Sequence, residues 1–356
     1  IHQIHMLVNY SSTRAMYLDS ANVPESVYDN LIGTVHEHMD LMYRYVDLRK
    51  KALKVDELHM YDIYAPIVDV PDKKYSFDEA KKMVKEGLAP MGKEYLEKLQ
   101  EGFDNRWIDI YENEGKRSGA YSWGAYGTHP YVLLNYHGTL DHVFTLAHEM
   151  GHALHSYYSD KNQPYINAGY KIFVAEVAST CNESLLIHYL LGKTEDKKTR
   201  AYLINHFLEQ FKGTLYRQTM FAEFEKITHA MAEKGETLTS DVLCKVYYDL
   251  NKLYFGENIV LDEEIALEWA RIPHFYNPFY VYQYATGMSA AIALSRKIMK
   301  EKEKGVEDYM KFLTGGNSKD PIDLLKLAGV DMNSKEPIEQ ALKLFEELLD
   351  EMEKLI

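Results

Sequence analysis

Residues 141–158, DHVFTLAHEMGHALHSYY, are the stretch on which the rest of the chain turns. Val143, Phe144, Leu146 and Ala147 follow Asp141, a suitable N-cap, and the spacing predicts a helix running from Asp141 to Tyr158. On that helix His148 and His152 stand one turn apart on the same face, and Glu149 projects about 100° further round. Two imidazoles on a rigid helix form a preorganised clamp for a metal ion, with a carboxylate placed to act on a water beside it. A catalytic metal then requires a third protein ligand and one open position. Gly151 inside the helix costs about 1 kcal/mol against alanine. Such a penalty beside potential ligands points to close approach of another backbone, of a substrate, or of a tightly packed neighbouring helix.

The wider sequence narrows the classes of function. With 356 residues, of which 46% are hydrophobic, the chain can bury a sizeable core, and one catalytic domain over residues 1–356 is the simplest division. A net charge of −14 without any basic tract argues against nucleic acid and anionic membranes as partners. Cys181 and Cys244 lie far apart, outside any CxxC spacing, so neither a disulfide framework nor a thiolate metal site is indicated, and a reducing cytoplasm fits best. No run approaches eighteen apolar residues, and Ile1 to His5 show no leader pattern. The abrupt start without methionine is read as the C-terminal portion of a longer polypeptide.

Helical periodicity dominates. One amphipathic helix is expected over 24–53, further helices over 77–88 and 92–101, then 173–191, a long run from 198 to about 233, 240–255, 265–269, 278–302 and two shorter segments to the end. Lys300–Lys304 is a solvated charge run. Between Trp107 and Asn135 glycine, tyrosine and β-branched residues take over. Tyr131–Asn135, after His129-Pro130, reads as a short strand that could pair with an extended peptide from a sheet edge, or lie inside a sheet. Gly124, Gly127 and His129 read as a loop or ordinary turn beside it. The expected fold is mainly α with a small antiparallel sheet.

The third ligand is sought where a carboxylate needs a reason to exist. In FVAEVASTCNE, residues 173–183, Glu176 is flanked by Phe173, Val174 and Ala175 on a core-like helix, and an unpaired buried carboxylate is costly. Glu176 is therefore assigned to the metal. Glu183, two turns further along the same face, could accept the outer N–H of a ligating histidine, or be a salt-bridged surface residue. His155 also falls on the ligand face; a fourth protein ligand would close the site, which leaves it a supporting, substrate-facing or packed role.

Four segments together carry a resemblance: GKRSGAYSWGAYGTHPYVLLNY, HEMGHALHSYYS, FVAEVASTCNE and RIPHFYNPFYVYQYATG. In this order and approximate spacing they resemble oligoendopeptidase F, in the thimet-oligopeptidase group of zinc metallopeptidases, over almost the whole chain. The resemblance implies a zincin-like, mainly helical ellipsoid with a deep substrate channel, one Zn2+ on His148, His152 and Glu176, and Glu149 as general base. It further implies hydrolysis of internal bonds of short, unfolded peptides, and an N-terminal family segment that this sequence lacks. His274 and Tyr280 match the family's donors to the substrate carbonyl; Tyr282, Tyr284 or Tyr276 could be the second tyrosine. Aromatic packing with wet hydroxyls is the alternative for at least half of these tyrosines. Two other functions compete: a non-catalytic, zinc-loaded peptide-binding fragment, and an exopeptidase anchored by Arg271 or Arg217.

Overall fold

Thr139, rather than Asp141, starts the motif helix: its hydroxyl accepts from the His142 amide at 3.3 Å, and Asp141 lies in the first turn. Both residue types cap well, and Asp141 is instead engaged by the Tyr202 hydroxyl at 2.9 Å. In the computed structural model, which describes residues 9–69 and 73–356, this helix spans Leu140–Asn162. The opening Ile1 to His5 stretch lies outside the described residues. Against the motif helix packs Ala175–Lys193, the helix that carries Glu176 and Glu183.

Gly151 is where the two helices come closest. A Cβ there would stand 2.6 Å from Ser179 Cα and 2.7 Å from the Ala178 carbonyl oxygen. The crossing is locked four residues earlier, where Asn182 donates to the Ala147 carbonyl at 3.0 Å and accepts from the Tyr95 hydroxyl at 2.9 Å. The close backbone approach expected from Gly151 is thus helix against helix. Gly151→Ala is expected to destabilise the fold by about 1–3 kcal/mol through overpacking, despite alanine's better helix propensity, and a thermal melt against wild type checks it.

Three short strands flank the motif helix: β1 Ile108–Asp109, β2 Tyr121–Trp123 and β3 Tyr131–Leu133. Their order is β1-β3-β2, with β1 parallel and β2 antiparallel to β3, so the sheet is mixed rather than wholly antiparallel. The reason is that β1 reaches β3 from a distant segment, through the Val132 amide on the Trp107 carbonyl at 2.7 Å, instead of through a hairpin. Of the two places expected for the Tyr131–Asn135 strand, a sheet edge or its interior, β3 takes the interior; β2 is an edge, with Tyr121 and Trp123 exposed. β2 also ends against the motif helix, since a Cβ on Gly124 would stand 2.7 Å from Ser156 Cβ. His129 stacks on Trp107 at 5.8 Å.

The chain forms two compact units. One comprises Val70–Leu203 and Gly287–Met332 and contains the sheet, the motif helix and the helix bearing Glu176. The other comprises Ile1–Asp69, Ile204–Thr286 and Asn333–Ile356, and its described residues are mainly helical. In it the expected helix over 24–53 is two, Glu25–His36 and Met39–Leu53. The break at Glu37-His38 carries no glycine or proline, and the His38 carbonyl accepts from the Leu41 amide at 3.3 Å and from the Tyr216 hydroxyl at 2.8 Å. The long run contains Arg217–Glu233, preceded by a π-helical turn, Phe211–Tyr216. This turn buries Lys212, whose ammonium donates to the Ile63 carbonyl at 2.8 Å and pairs with Glu209. The helix expected from residue 278 starts at Tyr282, because Phe279 adopts φ +56°, which no helix accommodates. The final segment holds three helices, Glu303–Leu313, Pro321–Leu327 and Glu336–Leu355, instead of two. No described helix is long and apolar enough to cross a membrane.

Candidate metal centre

Three donor atoms from two helices converge. Nε2 of His148 and Nε2 of His152 lie 3.2 Å apart, and Oε2 of Glu176 lies 3.4 Å from each. For tetrahedral zinc with bonds of about 2.0–2.1 Å, donors stand about 3.3–3.4 Å from one another. The triangle fits such an ion. Among the described residues, these three are the only His, Cys, Asp or Glu group whose ligand atoms all lie within 4.8 Å of one another. All three are partly exposed.

The surroundings orient these donors. His148 Nδ1 is hydrogen-bonded to Glu183 Oε1, which leaves Nε2 directed at the cluster, as expected for a carboxylate supporting a ligating histidine. Ser179, one turn beyond Glu176, donates to Glu176 Oε2 at 3.2 Å and restrains that carboxylate. Burial alone would lower the basicity of His148, but Glu183 and Glu176 outweigh it and hold the imidazole well above its ordinary pKa. Burial likewise opposes ionisation of Glu176, yet hydrogen bonds from His148 and His152 hold its carboxyl well below the carboxylate range. The cluster is a place built to stabilise positive charge.

Glu149 differs from its neighbours. It is 7% exposed, and its Oε2 has no hydrogen-bond partner. Burial pushes its pKa up, while the imidazoles of His148 and His152 pull it back. A buried carboxylate with an uncommitted oxygen beside a metal-binding triangle is equipped to take up a proton and release it.

His155 lies outside this group. It is 1% exposed, stacked on Tyr170 at 3.9 Å and next to Phe312 at 5.0 Å, and burial pushes its pKa down to about 3. It is a neutral packed imidazole. In the helical unit, His274, Tyr280 and Tyr284 form an aromatic cluster: His274 and Tyr280 are near-parallel at 6.2 Å, and Tyr284 meets them edge-on at 6.1 and 5.5 Å. Tyr282 is instead 2% exposed, its ring 5.0 Å from Tyr28, and Tyr276 is 90% exposed. Among the three tyrosines left open by the sequence, Tyr284 is the one grouped with His274 and Tyr280. Arg217 and Arg271 both bind Glu268, Arg217 at 2.7 Å, so each has a carboxylate of its own chain.

A cavity of about 310 Å³ adjoins the motif helix, lined among others by Glu112, Ala120, Leu134, His137, His142 and Thr145. Thr145 is one turn before His148, about 4.5 Å along the helix axis. Ser179 and Asn182 were not singled out from the sequence; the signal for Ser179 was its i+3 spacing from Glu176.

Known proteins resemble the chain over almost its whole length. The chain is 57% identical over 347 residues to oligopeptidase PepF of Bacillus subtilis, covering 98% of this chain and 52% of that protein. It is 48% identical over 347 residues to the chromosomal oligoendopeptidase F of Lactococcus lactis subsp. cremoris, covering 98% of this chain and 58% of that one. The crystal structure of oligoendopeptidase-F from Enterococcus faecium superimposes with a TM-score of 0.81 at 41% identity, over 99% of this chain and 57% of that chain. The chain therefore spans about half the length of the curated relatives it matches. The model of peptidase family M3 matches residues 2–344, which include every donor of the triangle, and the chain belongs to that family.

Proposed function

We propose that this chain carries the hydrolytic centre of a zinc-dependent oligopeptidase that cleaves internal bonds of short, unfolded peptides. The observation that carries this reading is the donor triangle of His148, His152 and Glu176 with the uncommitted carboxylate of Glu149 beside it. His2Glu ligation suits several divalent ions, and the family resemblance selects zinc. When bound, the ion polarises the scissile carbonyl and makes a water more acidic.

The chain's own groups do the rest. Glu149 takes the proton from the attacking water and delivers it to the leaving amine; its raised pKa strengthens it as the base for the first of these transfers. Glu183 holds His148 in one tautomer and orientation, and Ser179 restrains Glu176. By the resemblance, His274 and Tyr280 donate to the oxyanion of the tetrahedral intermediate, with Tyr284 as the second tyrosine. The exposed edge of β2 offers unpaired backbone groups to an extended peptide, and the cavity beside Thr145 has room for one of its side chains.

The test is an internally quenched peptide blocked at both ends. Cleavage at an internal bond, abolished by a chelator and restored by Zn2+, is expected. Cleavage of only the unblocked peptide would replace the endopeptidase reading by an exopeptidase one. Zn2+ binding without cleavage of either would leave a peptide-binding role.

A further inference from the structure

Two costly features meet at one contact in the helical unit. Phe279 has φ +56°, a left-handed conformation that an aromatic residue with a Cβ adopts only when its surroundings enforce it. Its ring is 4% exposed, packed among Tyr17, Tyr28 and His229 at 6.1, 5.9 and 4.7 Å. Its amide donates to Glu225 Oε1 at 2.8 Å. Glu225, on the helix Arg217–Glu233, is itself 3% exposed, and its Oε2 has no hydrogen-bond partner.

A buried carboxyl without a counterion is costly, and so is a left-handed phenylalanine; neither explains itself as packing. What they share is the residue that follows. Tyr280 leaves this turn directly, so the backbone that Phe279 fixes sets where the Tyr280 side chain departs. Pro278 contributes no amide, so the Phe279 N–H is the first donor of the turn available to hold it. We propose that Glu225 is a positioning residue for substrate activation: by gripping the Phe279 amide it holds Tyr280 in its cluster with His274 and Tyr284.

Burial pushes the Glu225 carboxyl up to about 8, so near neutrality it accepts the amide without holding an uncompensated charge. Glutamine keeps the accepting oxygen and the shape, whereas leucine keeps the bulk and loses the acceptor. This proposal rests on the assignment of Tyr280 as an oxyanion donor, and a double-mutant cycle separates the two.

The cycle combines E225L with Y280F, with E225Q alongside, in the chain loaded with Zn2+, on the blocked quenched peptide. Y280F is expected to lower kcat by roughly 10²–10³-fold, the typical loss for one oxyanion donor. E225L is expected to lower kcat by a comparable factor with KM little changed, to add little to Y280F, and to be largely rescued in E225Q. Hydrogen exchange of residues 274–284 should quicken in E225L and stay near wild type in E225Q. If E225L fails to fold, E225D, which withdraws the carboxyl by one methylene, is read in the same cycle. Losses that add in full overturn the role of Glu225 alone, as does an E225L that raises KM and leaves kcat intact. A silent Y280F beside a damaged E225L overturns the assignment of Tyr280 instead.

Discussion

Glu149→Gln should bind metal as wild type does and lose roughly 10²–10⁴-fold in kcat, the usual contribution of a positioned general acid–base. Glutamine has the same shape and keeps an oxygen, but it cannot accept and return a proton. Glu149 is absent from the metal-binding group, so its charge is not needed to hold the ion. Its Oε2 makes no hydrogen bond among the described residues, so the substitution breaks no such bond to that oxygen. Metal content per chain and single-turnover rates on a quenched peptide decide the matter. Wild-type turnover in the variant, or loss of metal together with activity, would remove Glu149 from the proton-transfer role.

Glu176→Ala should abolish binding at Zn2+ concentrations that saturate the wild type, and activity should vanish with the ion. Its loss leaves two nitrogens on one helix turn and removes the anion that balances the ion's charge. Glu183 provides the graded comparison. Glu183→Gln only weakens the hold on His148 Nδ1, and should cost about 10–100-fold in metal affinity. Competition with a chromophoric chelator at fixed pH gives both numbers. An ordering in which Glu183→Gln is the more damaging, or a Glu176→Ala chain with unaltered affinity, would mean that the ion is held elsewhere.

The centre was legible in the sequence to the extent that each residue's neighbours betrayed its situation. His148 and His152 are fixed by helical spacing alone. Glu176 stood out because an apolar helix has no other use for a carboxylate there. Glu225 sent no such signal: in Ala222-Glu223-Phe224-Glu225-Lys226 it reads as one more surface acid, and only its 3% exposure reveals it. The strand order was out of reach for a different reason. β1 pairs with a segment more than twenty residues away over only two residues, and such a short, non-local pairing leaves no periodic trace. The break at Glu37-His38 escaped because the apolar pattern runs through it unbroken, from Val35 to Met39 and Met42. The aromatic segment after His274 was legible in composition but not in direction. Tyr282 and Tyr284 are two residues apart, yet one is buried against Tyr28 while the other faces Tyr280.

The π-helical turn at Phe211–Tyr216 gives the spacing of this chain slack at one place, in a way its side chains do not suggest. A π turn is one residue longer than the α-helical turn it replaces. Excising one residue from 211–216 would let the turn close into an ordinary α-helical one and leave Arg217–Glu233 at its present azimuth, whereas excising one from 218–224 would swing the rest of that helix round its axis by about 100°. Glu225 would then face away from Phe279, although it had not been mutated. The extra residue is absorbed where the turn widens, so the count of residues between that turn and Glu225 constrains the molecule as tightly as their identity does elsewhere.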